Sequence, residues 1–265
     1  MDILKRNNVH VFGRGDQTLV FAHGFGCDQN MWRFMTSAFQ QKYRIVLFDH
    51  VGAGDSDLSA YDTQKYSSLE GYAGDVLEIC DALELPSCIF VGHSVGAMIG
   101  ILSAIREPTR FDDLVLIGPS PCYLNDGDYH GGFDDKDIHA MLNFMETDYK
   151  GWSDTFTPFI MGNPNKPALS DELAQSFCNT VPSIARHFAE VTFLSDNRAD
   201  LPKLQTKSLI MQCSEDMIAP QEVGDYLHET LLDSTLVNLK ATGHCPNLSA
   251  PLETIAAMEA YLQQA

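Results

Sequence analysis

Short runs of apolar residues alternate along this chain with helix-length amphipathic stretches, and that alternation most narrows the folds open to it. The runs lie at Leu19–Ala22, Arg44–Phe48, Cys88–Val91, Leu114–Ile117, Ser208–Gln212 and Thr235–Leu239. Some are continuously apolar, as in Ile45-Val46-Leu47-Phe48 and Leu114-Val115-Leu116-Ile117, which suits strands covered on both faces. Val9–Gly13 reads as an additional edge strand. Leu69, Tyr72, Ala73, Val76, Leu77, Cys80 and Leu83 recur at helical spacing, and Pro86 stops that helix. Ser94–Arg106 and Gln221–Leu231 read as further helices packed on the sheet. A last helix, after Pro251, is expected to turn Leu252, Ile255, Ala256, Met258 and Leu262 inward. The pattern predicts an α/β fold, a mostly parallel sheet flanked by helices.

The alternation stops between Pro119 and Leu201. A structureless loop of that length is foreign to a compact domain, and the spacing inside it is helical. Ile138, Met141, Leu142 and Met145 form one stripe; Ile184, Phe188 and Val191 form another. Pro158, Pro164, Pro167 and Pro182 punctuate the segment into four short helices. The chain of 265 residues therefore reads as one domain, with a core at 1–118 and 202–265 and a helical cap at 119–201.

Gly92-His93-Ser94-Val95-Gly96 falls between Ile89-Phe90-Val91, which reads as strand, and Ala97–Ile105, which reads as helix. G-x-S-x-G in that setting is the pattern of a nucleophile elbow, in which the serine hydroxyl stands clear at a sharp strand-to-helix turn. Glycine on either side removes Cβ atoms that would strike the neighbouring strand and helix. His23-Gly24-Phe25-Gly26 follows the first long strand, where such a site draws one oxyanion donor; the Phe25 N–H is expected to supply it and the Val95 N–H the second.

Of the nine histidines, only His244 lies in a loop directly past the final strand, flanked by Gly243 and Pro246. It is the expected general base, and His93 is expected to be structural. The acid should fall between serine and histidine in chain order. Asp216, after the Ser208–Gln212 strand, is the candidate, with Glu215 beside it as the alternative; its task is to orient His244 and stabilise the imidazolium. The place just after Ile117 offers no nearby carboxylate. A dehalogenase reading fails because the elbow carries Ser94 where that chemistry needs a carboxylate nucleophile.

Charge and cysteine content narrow the role. With 17 Lys and Arg against 36 Asp and Glu, the formal net charge is −19, which repels phosphate backbones and anionic lipid. No nucleic-acid or membrane partner is expected. The longest mostly apolar run, Val95–Ile105, is far short of the ~20 residues that cross a bilayer, and Met1–Asn8 lacks the look of a signal peptide. Seven cysteines without a C-x-x-C fit neither a disulfide framework nor zinc, and point to a reducing cytoplasm. Asp126, Asp128, Asp134, Asp135 and Asp137 match no calcium loop and read as a solvated face. Neither a metal nor a cofactor is expected.

Four segments together carry a resemblance: His23–Gln29, Phe48–Asp57, Val91–Gly100 and Pro119–Asp126 closely resemble the RsbQ family of bacterial stress sigma-factor regulators, to which the plant karrikin and strigolactone receptors are similar. The resemblance runs from about Asn8 to the C-terminus. It implies an α/β-hydrolase fold with a four-helix cap over an apolar pocket reached by a narrow entrance. Phe25 would lie at its mouth, Tyr123 near its base, and Phe133, Met141, Phe156 and Phe193 inside. A small hydrophobic ester or lactone fits such a pocket. The resemblance also implies a second role, a ligand-responsive regulator that hydrolyses slowly and acts through a protein partner such as a sensor-domain phosphatase.

Overall fold

The computed structural model describes residues 2–263. Seven strands, β1 (His10–Gly13), β2 (Thr18–Ala22), β3 (Arg44–Leu47), β4 (Cys88–His93), β5 (Phe111–Ile117), β6 (Ser208–Glu215) and β7 (Ser234–Thr242), form one sheet in the order β1-β3-β2-β4-β5-β6-β7. Only β1 runs antiparallel, against β3; the other pairs are parallel. The helices are α1 (Ile3–Arg6), α2 (Arg33–Phe39), α3 (Leu69–Ala82), α4 (Val95–Arg106), α5 (Asp135–Thr147), α6 (Tyr149–Met161), α7 (Pro167–Cys178), α8 (Pro182–Phe193), α9 (Gln221–Thr230), α10 (Pro246–Ser249) and α11 (Pro251–Leu262).

Because successive strand residues face opposite sides, the sheet builds two apolar layers. Leu19, Phe21, Ile89, Val91, Val115, Ile117, Leu209 and Met211 join a core with Met35 of α2, Met258 of α11 and residues of the α5–α8 cap. Val20, Phe90, Leu114, Leu116 and Ile210 join another with α3, α4 and α9. Parallel register aligns the strand tips: Ala22 sits opposite Gly92 and Ile117 opposite Met211. The loops that leave β2, β4, β5, β6 and β7 therefore gather at one edge.

The sequence-derived stripe of α3 is buried at Leu69, Tyr72, Ala73, Val76, Leu77 and Cys80, but the same face also buries Asp75. That carboxylate meets Arg6 at 3.0 Å and Lys65 at 2.6 Å and accepts a hydrogen bond from the Tyr66 hydroxyl at 2.9 Å.

Two local expectations are corrected. Leu252 and Ala256 of α11 are exposed, while Thr254 and Met258 are buried; at 100° per residue, positions 252 and 256 fall on the rim opposite 254 and 258. Pro158 lies inside α6 and does not end it. The break before α6 is made by Asp148, whose carboxylate accepts the Gly151 N–H at 2.9 Å. Pro158 removes one N–H to the Asp154 carbonyl, and residue 154 is exposed, where water can replace the lost bond. Pro167 and Pro182 do start helices, at the first-turn positions of α7 and α8 that need no N–H.

Candidate active site

Ser94 occupies the turn between β4 and α4 with φ 55° and ψ −125°, a left-handed region that a residue with a Cβ visits only under constraint. The constraint is local: the Ser94 N–H is held by the Ile117 carbonyl at 2.8 Å. A Cβ on Gly92 would lie 2.5 Å from the Ala97 Cα, and one on Gly96 would lie 2.6 Å from the His23 carbonyl oxygen. The elbow can be this tight only because both flanks are glycine.

His244 reaches Ser94 from the β7 tip. Its loop is anchored by backbone hydrogen bonds from Gly243 to the Glu215 carbonyl, 2.6 Å, and from His244 to the Ile160 carbonyl at the end of α6, 2.7 Å. The Ser94 Oγ lies 2.7 Å from His244 Nε2, and His244 Nδ1 lies 2.7 Å from Asp216 Oδ2. The second carboxylate oxygen of Asp216 accepts the Ile218 and Ala219 N–H groups at 2.8 and 3.1 Å. Burial pushes the Asp216 carboxyl up, but the neighbouring His244 and these N–H groups outweigh it and hold it below the usual carboxylate range. Serine, histidine and aspartate are all buried. Asp216, rather than Glu215, thus stands against the imidazole; the side chain of Glu215 is exposed.

Tyr123, in the segment between β5 and α5, places its hydroxyl 3.3 Å from Ser94 Oγ, and burial pushes that phenol up to about 12. Beside Ser94 lies a cavity of only about 30 Å³, lined by Phe25, Cys27, His93, Ile160, Leu173, Phe193, Ile218, His244 and Cys245 as well. Of the pocket residues expected from the sequence, Phe25 and Phe193 line it. Phe133 instead packs on Phe193 at 6.0 Å between ring centres, Phe156 stacks on Trp152 at 5.8 Å, and Met141 is buried in the core. Phe25 is surrounded by the rings of Trp152, Phe177, Phe188 and Phe193, at 5.3 to 6.2 Å. Val95 opens α4, so its N–H has no acceptor within the helix.

His93 does more than its place beside Ser94 suggests. Its Nε2 lies 2.7 Å from the His244 carbonyl oxygen, and the two rings sit 5.0 Å apart. A carbonyl only accepts, so Nε2 carries the proton and Nδ1, which has no partner, is bare. Burial, with the charge of His244 behind it, drops this imidazole to about 3. Sequence spacing gives no sign of this bond, because it joins a strand tip to a loop 151 positions away. Ile160, Leu173 and Ile218 are likewise invisible as cavity residues in the sequence: each reads as one more apolar position on its own element.

Among the described residues there is no cluster of His, Cys, Asp or Glu able to hold a metal and no helix long and apolar enough to cross a membrane.

The chain is similar to known proteins. The chain is 41% identical over 253 residues to Strigolactone esterase D14 of Arabidopsis thaliana, covering 95% of this chain and 94% of that one. It is 39% identical over 246 residues to Karrikin insensitive 2 receptor CA of Petunia hybrida, covering 92% and 91%. A solved structure of a hydrolase from Oleispira antarctica superposes with a TM-score of 0.97 at 41% identity, covering 100% of this chain and 97% of that one. The expected kinship with karrikin and strigolactone receptors holds. A profile of the Alpha/beta hydrolase family matches residues 19–258, a span that takes in the strained serine, the aspartate and the histidine together, and the chain belongs to that family.

Proposed function

We propose that this protein is a serine hydrolase of small hydrophobic esters or lactones, with Ser94 as nucleophile, His244 as general base and Asp216 as the acid that orients it. The observation that carries this reading is the unbroken hydrogen-bonded line from Asp216 Oδ2 through His244 to Ser94 Oγ, 2.7 Å at each step, ending on a serine held at positive φ. Ser94 Oγ bonds to the carbonyl carbon as its proton passes to His244 Nε2, and the carbonyl π pair moves onto oxygen. The N–H groups of Val95 and Phe25 hold that oxyanion; a donor so placed lowers the barrier by about 3–4 kcal/mol. Collapse expels the alcohol oxygen, which takes the proton from His244. Water, deprotonated by the same imidazole, then bonds to the acyl carbon, and collapse breaks the bond to Ser94 Oγ, which takes the proton back from His244 as the acid leaves. The apolar walls supplied by Phe25, Phe193, Ile160 and Ile218 favour an uncharged, hydrophobic substrate. Tyr123 at the base, with Phe133, Met141 and Phe156 behind the first layer of walls, completes the proposed binding region. Seven unpaired thiols suit work in a reducing cytoplasm.

Turnover of p-nitrophenyl acetate by the wild type and its loss in Ser94→Ala test the reading. A Ser94→Ala protein as active as the wild type overturns it.

A second reading is supported by the size of the chamber. About 30 Å³ holds little more than a water molecule, so ligand binding must displace side chains that the cap contributes to its walls, among them Ile160, Leu173 and Phe193. Such a change is what a regulator acting through a protein partner would present, and of the two relatives above one is named a karrikin insensitive receptor and the other a strigolactone esterase. Stoichiometric product release with a ligand-induced shift in Tm favours this reading; repeated turnover without one favours the enzyme alone.

A further inference from the structure

An ester cannot fit beside Ser94 in a chamber of about 30 Å³, so one of its walls must yield. A second cavity, of about 280 Å³, lies against it, and the two share two lining residues, Cys27 and Leu173. Cys27 sits in the loop after β2, and its thiol is fully buried and pushed up to about 12; Leu173 projects from α7. Leu173 is held on the backbone of a helix and moves by rotamer change, whereas Cys27 has little side chain to swing. The outer cavity has an apolar floor of Met31, Leu173 and Leu248 and a rim that includes Asp28 and Glu172. The α7 helix is fastened over this groove along one face. Glu172 pairs with Arg33 of α2 at 2.7 Å, and the Ser176 hydroxyl donates to the Gly26 carbonyl at 2.8 Å. These ties fix the helix and leave the Leu173 side chain as the movable part of the partition.

We infer that Leu173 is the gate between a chamber for the reacting carbonyl and an outer subsite for the rest of the substrate, and that the outer subsite takes an uncharged apolar group. Rotation of Leu173 joins the two spaces into one channel between α7 and the 24–31 loop. The rim carries two carboxylates against the one guanidinium of Arg33, which disfavours an anionic group there. This inference rests on the proposed hydrolase reading for the place of the carbonyl, though access through the gate is measured without chemistry.

The test uses p-nitrophenyl hexyl ether, which cannot be hydrolysed, and follows its association by the stopped-flow shift of its own p-nitrophenyl absorbance on leaving water, a signal that no tryptophan of the protein contributes. Leu173→Trp should slow association roughly tenfold and Leu173→Val should speed it several-fold, on the scale of one to a few methylene groups in an apolar site. In parallel, the ratio of kcat/KM for p-nitrophenyl hexanoate over acetate should fall in Leu173→Trp and rise in Leu173→Val. Thermal melting identifies variants that fold; if the tryptophan does not fit, the valine variant alone decides. Association unchanged in the folded variants, or no detectable binding by the wild type, overturns the gate. Ester turnover that survives Ser94→Ala, with the association rates shifted as expected, overturns the hydrolase mechanism and leaves the gate standing.

Discussion

His93 donates from Nε2 to the backbone carbonyl of His244 across 2.7 Å, so the residue before the serine fixes the loop that carries the histidine serving it. Elbow and base are thereby set by one side chain. Removing the donor should let the His244 loop drift from a position that tolerates little error, since a misplacement of about 1 Å can cost on the order of 100-fold. His93→Phe should lower kcat by about 10- to 100-fold with KM little changed, and His93→Gln, whose amide N–H can reach the same carbonyl, should recover part of it. Steady-state kinetics on p-nitrophenyl acetate check both; equal kcat in Phe and Gln variants refutes the role.

The same residue ties stability to pH. His93 in the folded protein sits at about 3, whereas an unfolded histidine titrates near ~6.5. The unfolded chain therefore binds the extra proton first, and the stability that neutral His93 confers is complete above ~6.5 and drains as pH falls toward about 3. Asp216, held below its ordinary value, adds a loss of the same sign below ~3.9. Urea unfolding at pH 7 and pH 5 should show wild type losing more than His93→Phe over that interval.

Asp216→Asn should keep the fold and remove most of the activity. The amide can still occupy the site but no longer offsets the charge of the imidazolium, and it favours the wrong tautomer of His244. A drop in kcat of up to ~10⁴-fold is expected on the scale of other Ser-His-Asp enzymes. Glu215→Gln, at an exposed neighbour, should leave kcat within about twofold.

Ser94 at φ 55° stores strain that a glycine would not. Both Ser94→Ala and Ser94→Gly should be inactive, but the glycine variant should be the more stable of the two by about 1 kcal/mol, the lower end of what such backbone strain costs. Thermal or urea unfolding of the pair, side by side, decides.

Arg6 and Asp75 are both buried and 3.0 Å apart. Breaking a buried pair by removing one partner leaves a charge without compensation. Arg6→Ala should destabilise by about 3 kcal/mol, near the low end for such pairs because Lys65 still reaches Asp75 at 2.6 Å. Esterase activity of the folded fraction should not change, as the Arg6 side chain bonds to Asn7, Asp75 and Glu78 and to none of Ser94, Asp216 and His244.

What the sequence by itself determined was most of what local periodicity and turn chemistry set, the face of α11 and the place of Pro158 inside α6 excepted. The apolar runs foretold the sheet, the helical spacing of 138–145 and 184–191 foretold helices in the cap, and the G-x-S-x-G between strand and helix pointed to Ser94. His244 and Asp216 followed from chain order, because each loop leaves the tip of a strand whose place in the sheet is constrained. Only the tertiary structure decided which of two adjacent carboxylates faces the imidazole, since one step along a strand end reverses the direction of the side chain. Packing alone also decided that Leu252 is exposed, that His93 holds the His244 carbonyl, and that the chamber closes down on the serine behind Leu173. Those outcomes depend on contacts between residues far apart in the chain, whose distances are fixed by sheet register and by the ties of α7 to Gly26 and Arg33, and periodicity within a segment carries no information about either.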